Sequence, residues 1–240
     1  SVVQAAVGSG ISAEDKMALI RRVLEKGKPA ARKVAAAALV EMEGVEATRL
    51  VLLALRDDDP HVQAAALGQL RPRGVPGALG TLFESLDSLH APVIEAARAA
   101  LSEFNFARYY SGFDAMDEVA RRTTGDLVRR VDPQSAGKLR EELQASVRSR
   151  RMRGVAMTAA MGLAEELEED LVLLLQDEDH ILRAEVAAVL ADCNTQQTRL
   201  ALREALLDTS VAVQDAAQRS LEDMAAGPKT EPAAAAGGAP

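Results

Sequence analysis

The sequence predicts an all-α protein, a right-handed α-solenoid of stacked helix pairs with about six regular repeats and one degenerate central repeat. Three observations predict this fold. A motif recurs about every 31 residues, the chain is rich in alanine and leucine with only six aromatic residues, and proline or acidic residues stand where helices should begin. A long period combined with helical spacing is typical of repeat proteins, in which each helix pair buries its apolar face against its neighbours.

The repeat is defined by the residue that opens each alanine-rich helix. These anchor residues are Ala31, Val62, Val93, Met152, Leu182 and Val213, with gaps of 31, 31, 59, 30 and 31 residues. A small residue usually stands four positions after the anchor and leucine eight positions after it, which places them on one helical stripe. In the clearest unit we expect a first helix near Thr48–Arg56 and a second near Pro60–Leu70, capped by Asp59.

Two stretches of the chain carry a resemblance to a known family. Their matching residues are Asp59, Val62, Ala64, Ala65, Leu67, Gly68 and Leu70, and then Asp179, Leu182, Arg183, Ala187 and Leu190. They resemble HEAT repeats of the short bacterial type also found in phycobilisome lyase subunits. An arginine directly after the anchor fits this resemblance at Arg32, Arg153 and Arg183. The resemblance covers about 13–103 and 138–225, and it implies a solenoid that mostly serves as an interaction scaffold.

The sequence divides into five segments. We expect a flexible N-terminus over 1–12 and a disordered tail rich in alanine, glycine and proline over 227–240. Between them lie N-terminal repeats over 13–103, a central aromatic and basic insertion over 104–137, and C-terminal repeats over 138–226. The central segment is a degenerate repeat, because the gap of 59 residues between its flanking anchors is nearly two periods.

The central segment contains five of the six aromatic residues. They are Phe104, Phe106, Tyr109, Tyr110 and Phe113. We expect an extended or irregular loop over 104–113, followed by a helix near Asp114–Thr123. Two interpretations stay open: the rings fill space where regular stacking fails, or they anchor a partner, with the phenylalanines inward and Tyr109 and Tyr110 outward.

Charge is segregated along the same part of the chain. Ten basic and four acidic residues lie from Arg121 to Arg153, whereas 165–179 contains eight acidic residues and no basic one. Both runs can be solvated helix faces. Alternatively, the basic run is a docking surface for an acidic or phosphorylated partner, the acidic run receives a basic partner, or the two runs together permit head-to-tail self-association. The candidate partner-binding residues are Tyr109, Tyr110, Phe113, Arg121, Arg122, Arg129 and Arg130.

Composition limits the other function classes. A net charge of −8 and a pI near 5.1 argue against general nucleic-acid binding, and no apolar run is long enough to span a membrane. The single cysteine, Cys193, and three separated histidines predict no metal site and no cofactor, and no residue set indicates catalysis. We expect a cytoplasmic, bacterial, non-catalytic scaffold or adaptor. The alternatives are a phycobilin-lyase-like enzyme subunit or ligand chaperone, and nucleic-acid binding.

Overall fold

The computed structural model describes residues 12–226, and every regular element in this range is a helix. The α-helices are α1 Ala13–Lys26, α2 Pro29–Ala38, α3 Val45–Ala54, α4 Pro60–Leu67, α5 Ala78–Ser85, α6 Ala91–Ala100, α7 Phe106–Gly112, α8 Glu118–Val131, α9 Ser135–Leu143, α10 Arg148–Met161, α11 Glu168–Leu174, α12 His180–Val189, α13 Gln196–Ala205 and α14 Val211–Ala226. The predicted all-α class is confirmed. The predictions of a flexible N-terminus and a disordered tail lie outside the described residues, except that Ser12 caps α1 with its side chain.

The described helices belong to two compact units. The first contains 12–105 and 130–132, and the second contains 106–129 and 133–226. In the first unit α1 packs on α2, α3 on α4 and α5 on α6, while α2, α4 and α6 form a row. In the second unit α9 packs on α10, α11 on α12 and α13 on α14, while α10, α12 and α14 form a row. Each unit thus contains a stack of three helix pairs, as in an α-solenoid, and the second unit also contains α7 and most of α8.

Small buried residues let the second helices of successive pairs approach each other. Residues four positions after their anchors are fully buried at Ala35, Ala66, Ala97, Val186 and Ala217. Leucines eight positions after the anchor are also buried, at Leu39, Leu70, Leu101 and Leu190. A small side chain at the crossing point shortens the distance between two helix axes, and the leucines fill the layer beside it. The predicted stripe is therefore confirmed for α2, α4, α6 and α12, and for the small residue of α14.

The predicted register is wrong in α10. With Met152 as the anchor, the small residue of the stripe would be Ala156, but Ala156 is exposed. The buried residues of this helix are Gly154, Val155, Met157, Thr158 and Met161. They match the buried positions of α12 if the anchor is Arg150, so that Arg151 rather than Arg153 follows it. A charged residue at an anchor position conceals the register, because apolar periodicity is the signal that sequence analysis follows.

Ion pairs at the turns between paired helices support the corrected register. They join Arg32 to Asp57, Arg151 to Asp177 and Arg183 to Asp208, with closest N–O distances of 2.7, 2.8 and 2.7 Å. Each arginine directly follows its anchor, and each aspartate lies in the turn of the next pair. At the same position Gln63 and Gln214 donate a hydrogen bond to the backbone oxygens of Asp57 and Asp208, both at 2.6 Å. The side chain that follows the anchor therefore hydrogen-bonds to the turn of its own helix pair. Where it is arginine, it also forms an ion pair with the aspartate in the turn of the next pair.

The expectation of a loop over 104–113 is wrong. The chain forms α7 at Phe106–Gly112 and a 3-10 turn at Phe113–Ala115, and the following helix α8 begins at Glu118. Phe106, Tyr109 and Phe113 are buried at spacings of three and four residues, which is a helical stripe made of rings. Aromatic residues have weak helix propensity, so the formation of α7 depends on the burial of these rings.

Candidate functional site

Tyr109 lies inside the second unit, and the expectation that it points outward is wrong. Its side chain is only 1% exposed, and its ring meets the edge of the Phe113 ring at 5.4 Å between centroids. The Tyr109 hydroxyl donates a hydrogen bond to the backbone oxygen of Arg121 at 2.7 Å. Burial raises the pKa of Tyr109 to about 12, although the positive charge of Arg121 opposes the shift. Tyr109 thus supports α8 from the interior and offers no surface to a partner.

Arg121 is held in place against Phe113. Its guanidinium carbon lies 4.3 Å from the centre of the Phe113 ring, and its Nε donates to the Phe113 backbone oxygen at 2.9 Å. A guanidinium over an aromatic face is attracted by the negative charge of the ring face. Within residues 12–226, the two Nη groups of Arg121 have no hydrogen-bond partner. They are therefore oriented donors that remain available to a ligand.

Gly125 brings α8 close to α10. A Cβ atom at Gly125 would lie 2.8 Å from the backbone oxygen of Ala160 and 2.8 Å from the Tyr109 hydroxyl. Real Cβ atoms essentially never come closer than 3.0 Å to such atoms. The position therefore requires glycine because of the close approach of the two helices.

A cleft of about 560 Å³ lies between α8 and α10, and we call it the central cleft. It is lined by Phe113, Glu118, Arg121, Arg122, Asp126, Arg129, Ala156, Ala159, Ala160, Met161, Gly162 and Asp192. Four of the seven candidate residues from the sequence are among them: Phe113, Arg121, Arg122 and Arg129. Three of the four α10 residues that line the cleft are alanines, at 156, 159 and 160, and their short side chains leave the space open. Five of the six charged residues of the lining lie on α8, and the sixth is Asp192.

Two of the three cleft arginines already have partners on their own helix. Arg122 pairs with Glu118 at 2.6 Å and Arg129 pairs with Asp126 at 2.7 Å, and all four side chains are largely exposed. Exposed pairs of this kind contribute only about 0.3–0.5 kcal/mol, because water competes for both charges. A partner that brings better-oriented charges can therefore replace them at little cost.

Tyr110 and Arg130 do not line the central cleft. The Tyr110 hydroxyl donates to Glu142 at 3.0 Å, beside two hydrogen bonds from Arg150 to the same carboxylate at 2.7 and 2.9 Å. The Arg150 guanidinium holds the pKa of Glu142 below its ordinary value, against the opposing effect of burial. Arg130 belongs to the first unit, where it pairs with Asp87 at 2.9 Å.

Glu142 is a residue that sequence analysis missed. It is a buried carboxylate in a segment read as basic, and no motif marks it. Its partners lie on α7 and α10, so only the packing of these helices brings the three side chains together.

Residues 12–226 give little support to a reactive cysteine, a metal site or a membrane-spanning helix. Cys193 is buried, and burial raises the pKa of its thiol to about 12, with further contributions from Glu168 and Asp192. Among residues 12–226 no group of three or more His, Cys, Asp or Glu side chains could hold a metal ion. Over the same range no helix is both long and apolar enough to cross a membrane. Because the thiolate is the reactive form and burial raises the pKa of the Cys193 thiol, Cys193 is poorly suited to nucleophilic chemistry.

Comparison with known proteins leaves the family of this chain open. No protein-family model and no curated protein matches it. Among solved structures, it is similar to human deoxyhypusine hydroxylase in complex with glycerol, with 16% identity, a TM-score of 0.38, and coverage of 93% of this chain and 88% of that one. It is also similar to a designed armadillo repeat protein, with 18% identity, a TM-score of 0.25, and coverage of 92% and 98%. Likenesses at this level carry no argument about function.

Proposed function

We propose that this chain is a non-catalytic scaffold that binds another protein, and that the central cleft is its docking site. The observation that carries the proposal is the position of Arg121, stacked on Phe113 with its Nη groups free to bind at the edge of the cleft. The cleft lies where the regular repeat is interrupted. A guanidinium that is already held in place loses little further conformational entropy when it binds a partner, and this favours recognition.

The chemistry of the cleft favours a partner with an acidic or phosphorylated residue. Arginine binds carboxylate and phosphate groups through two parallel hydrogen bonds, and Arg121 offers such a fork. A partner carboxylate can also replace Glu118 or Asp126 at the exposed pairs of α8. Apolar side chains of the partner would lie on the small residues of α10, such as Ala156 and Ala159. The contact would then have an apolar centre and a charged rim.

The cleft does not favour nucleic acid as the ligand. Its lining has three arginines and three carboxylates, the latter at Glu118, Asp126 and Asp192. A phosphate backbone requires a clear excess of positive charge, since each contact depends on neutralising phosphates. A phycobilin-lyase-like role, suggested by the resemblance of the repeats to the short bacterial HEAT type, would instead require uptake of a chromophore. The proposal also includes a cytoplasmic location, where a lone reduced cysteine is common.

Affinity capture from lysate of the source cells, after nuclease treatment, tests the proposal. The bait proteins are the wild type, an Arg122→Glu/Arg129→Glu variant, and an Ala159→Phe variant that narrows the cleft without changing its charge. An Arg199→Glu/Arg203→Glu variant is the control, because both arginines are exposed on α13 of the same unit.

We expect one protein to be enriched by the wild type and the control and lost from both cleft variants. The same enrichment by all four baits would refute the cleft as the docking site. Visible absorbance of the purified wild type, absent from Ala159→Phe, would favour the lyase-like role instead. Folding of every bait is checked beforehand by far-UV circular dichroism.

A further inference from the structure

The first unit contains a groove that the regular repeat does not predict. The connection from α4 to α5 takes ten residues (68–77), whereas the connections at 39–44, 162–167 and 190–195 take six. The longer connection forms one wall of the groove, and helix α3 forms the other. We call this cavity of about 730 Å³ the α3 groove. Its volume is in the range of pockets that bind ligands.

The wall formed by the connection is tied by a hydrogen bond to the segment before α3. Arg73 reaches from it to the backbone oxygen of Met42, to which it donates at 3.0 Å. Gly74 and Gly77 have positive φ angles of 62° and 75°, which other residues rarely adopt, and two prolines fix φ nearby. A wall that is ordered before binding costs a ligand less conformational entropy than a mobile loop.

The wall of the groove formed by α3 carries apolar side chains that are open to solvent. Val45 is 89% exposed and Leu52 is 39% exposed, and both lie on the same face of α3. Pro72, Val75 and Pro76 line the opposite wall. Large apolar side chains that gather in one exposed concavity mark a site of interaction more often than isolated ones do.

The charges of the groove select an acidic ligand. Arg49 stands between Val45 and Leu52 on the same helical stripe, and within the described residues it has no hydrogen bond or ion pair. Arg73 adds a second positive charge, and Glu43 is the single acidic residue of the lining. The groove is therefore net positive in a chain whose net charge is −8. We propose that it binds a short peptide segment of a partner protein, with a carboxylate on Arg49 and apolar side chains on Val45 and Leu52.

Selection from a displayed library of random short peptides tests this proposal on the full chain. We expect the enriched peptides to combine apolar residues with aspartate or glutamate. A synthetic copy of the best peptide should lose about tenfold or more in affinity with Leu52→Glu, Arg49→Glu or the milder Arg49→Gln, as measured by fluorescence anisotropy. The matched controls, Leu200→Glu and Arg203→Glu on α13, should bind like the wild type.

A second arm changes only the peptide. Replacing its acidic residue by the corresponding amide should weaken binding to the wild type by a similar factor and have no further effect on Arg49→Gln. Enrichment of basic peptides, absence of enrichment, or equal binding by the groove variants would overturn the proposal. Concentration-dependent association of the wild type in sedimentation, abolished by Arg49→Glu, would make a second copy the occupant and would also overturn it.

Discussion

Replacement of Gly125 by alanine tests the close approach of α8 and α10. The added Cβ atom would lie 2.8 Å from both the Ala160 backbone oxygen and the Tyr109 hydroxyl. A backbone oxygen within a helix cannot move alone, so the two helices must separate. Overpacking of this kind costs about 1–3 kcal/mol. Alanine recovers up to about 1 kcal/mol through its higher helix propensity.

The net cost lies between about 0 and 3 kcal/mol, and we expect Gly125→Ala to lower the free energy of unfolding by about 1–2 kcal/mol, the middle of that range. For a chain of this size the midpoint of thermal unfolding should fall by about 2–8 °C. Gly137→Ala is the matched control, since Gly137 lies in α9 of the same unit and its added Cβ would meet nothing within 4 Å. That control should be as stable as the wild type, or up to about 1 kcal/mol more stable.

Urea and thermal unfolding followed by far-UV circular dichroism give both values. A third protein identifies the cause of the change. In a Tyr109→Phe background one of the two close contacts is absent, so the additional effect of Gly125→Ala should be smaller than in the wild type. Equal stability of Gly125→Ala and Gly137→Ala would refute the close approach of α8 and α10.

Three further predictions follow from buried or paired groups. Cys193 should react with a thiol reagent at pH 8 only when the protein is unfolded, because burial raises the pKa of its thiol to about 12; rapid reaction of the folded protein would contradict its burial. In a Tyr110→Phe variant, absorbance at 295 nm should show the remaining Tyr109 ionising near pH 12, compared with about pH 10 in denaturant. The ion pair with Arg183 lowers the pKa of Asp208. The contribution of this pair to the free energy of unfolding is therefore complete above about pH 4 and is lost as the pH falls through the folded-state pKa of Asp208. Asp208→Asn should thus be less stable than the wild type by about 1 kcal/mol at pH 7, and the difference should shrink as the pH falls below about 4, as measured by urea unfolding.

The interruption of the repeat explains where the central cleft lies. In the regular pairs, a small residue of the stripe is buried where two helices of the row pack together, as Ala66 and Ala97 are. In α10 the small residues Ala156 and Ala159 are exposed and face α8, whose charged residues do not fill the space. With Arg150 as the anchor, the residue of α10 that corresponds to Ala66 and Ala97 is Gly154, which is buried, whereas Ala156 and Ala159 belong to the outer face of the helix, against which α8 lies.

Much of the repeat fold can be read from the sequence. The 31-residue period, the buried alanines of α2, α4 and α6, and the capping role of Asp59 all depend on spacings of a few residues within one helix or turn. Such local patterns determine which face of a helix is apolar and where the helix begins. The cluster of aromatic residues and arginines was also recognisable, and four of its members do line the central cleft.

The tertiary structure decided the features that depend on contacts between helices. The inward position of Tyr109, the register of α10 and the burial of Glu142 each depend on residues that lie far apart in the sequence. The same is true of the α3 groove, whose two walls come from α3 and the connection after α4. Periodicity along one helix says which side chains are apolar, but burial is decided by what the neighbouring elements place against them. The sequence alone therefore determined the repeating helix pairs, and packing determined which of their faces became core and which remained at the surface.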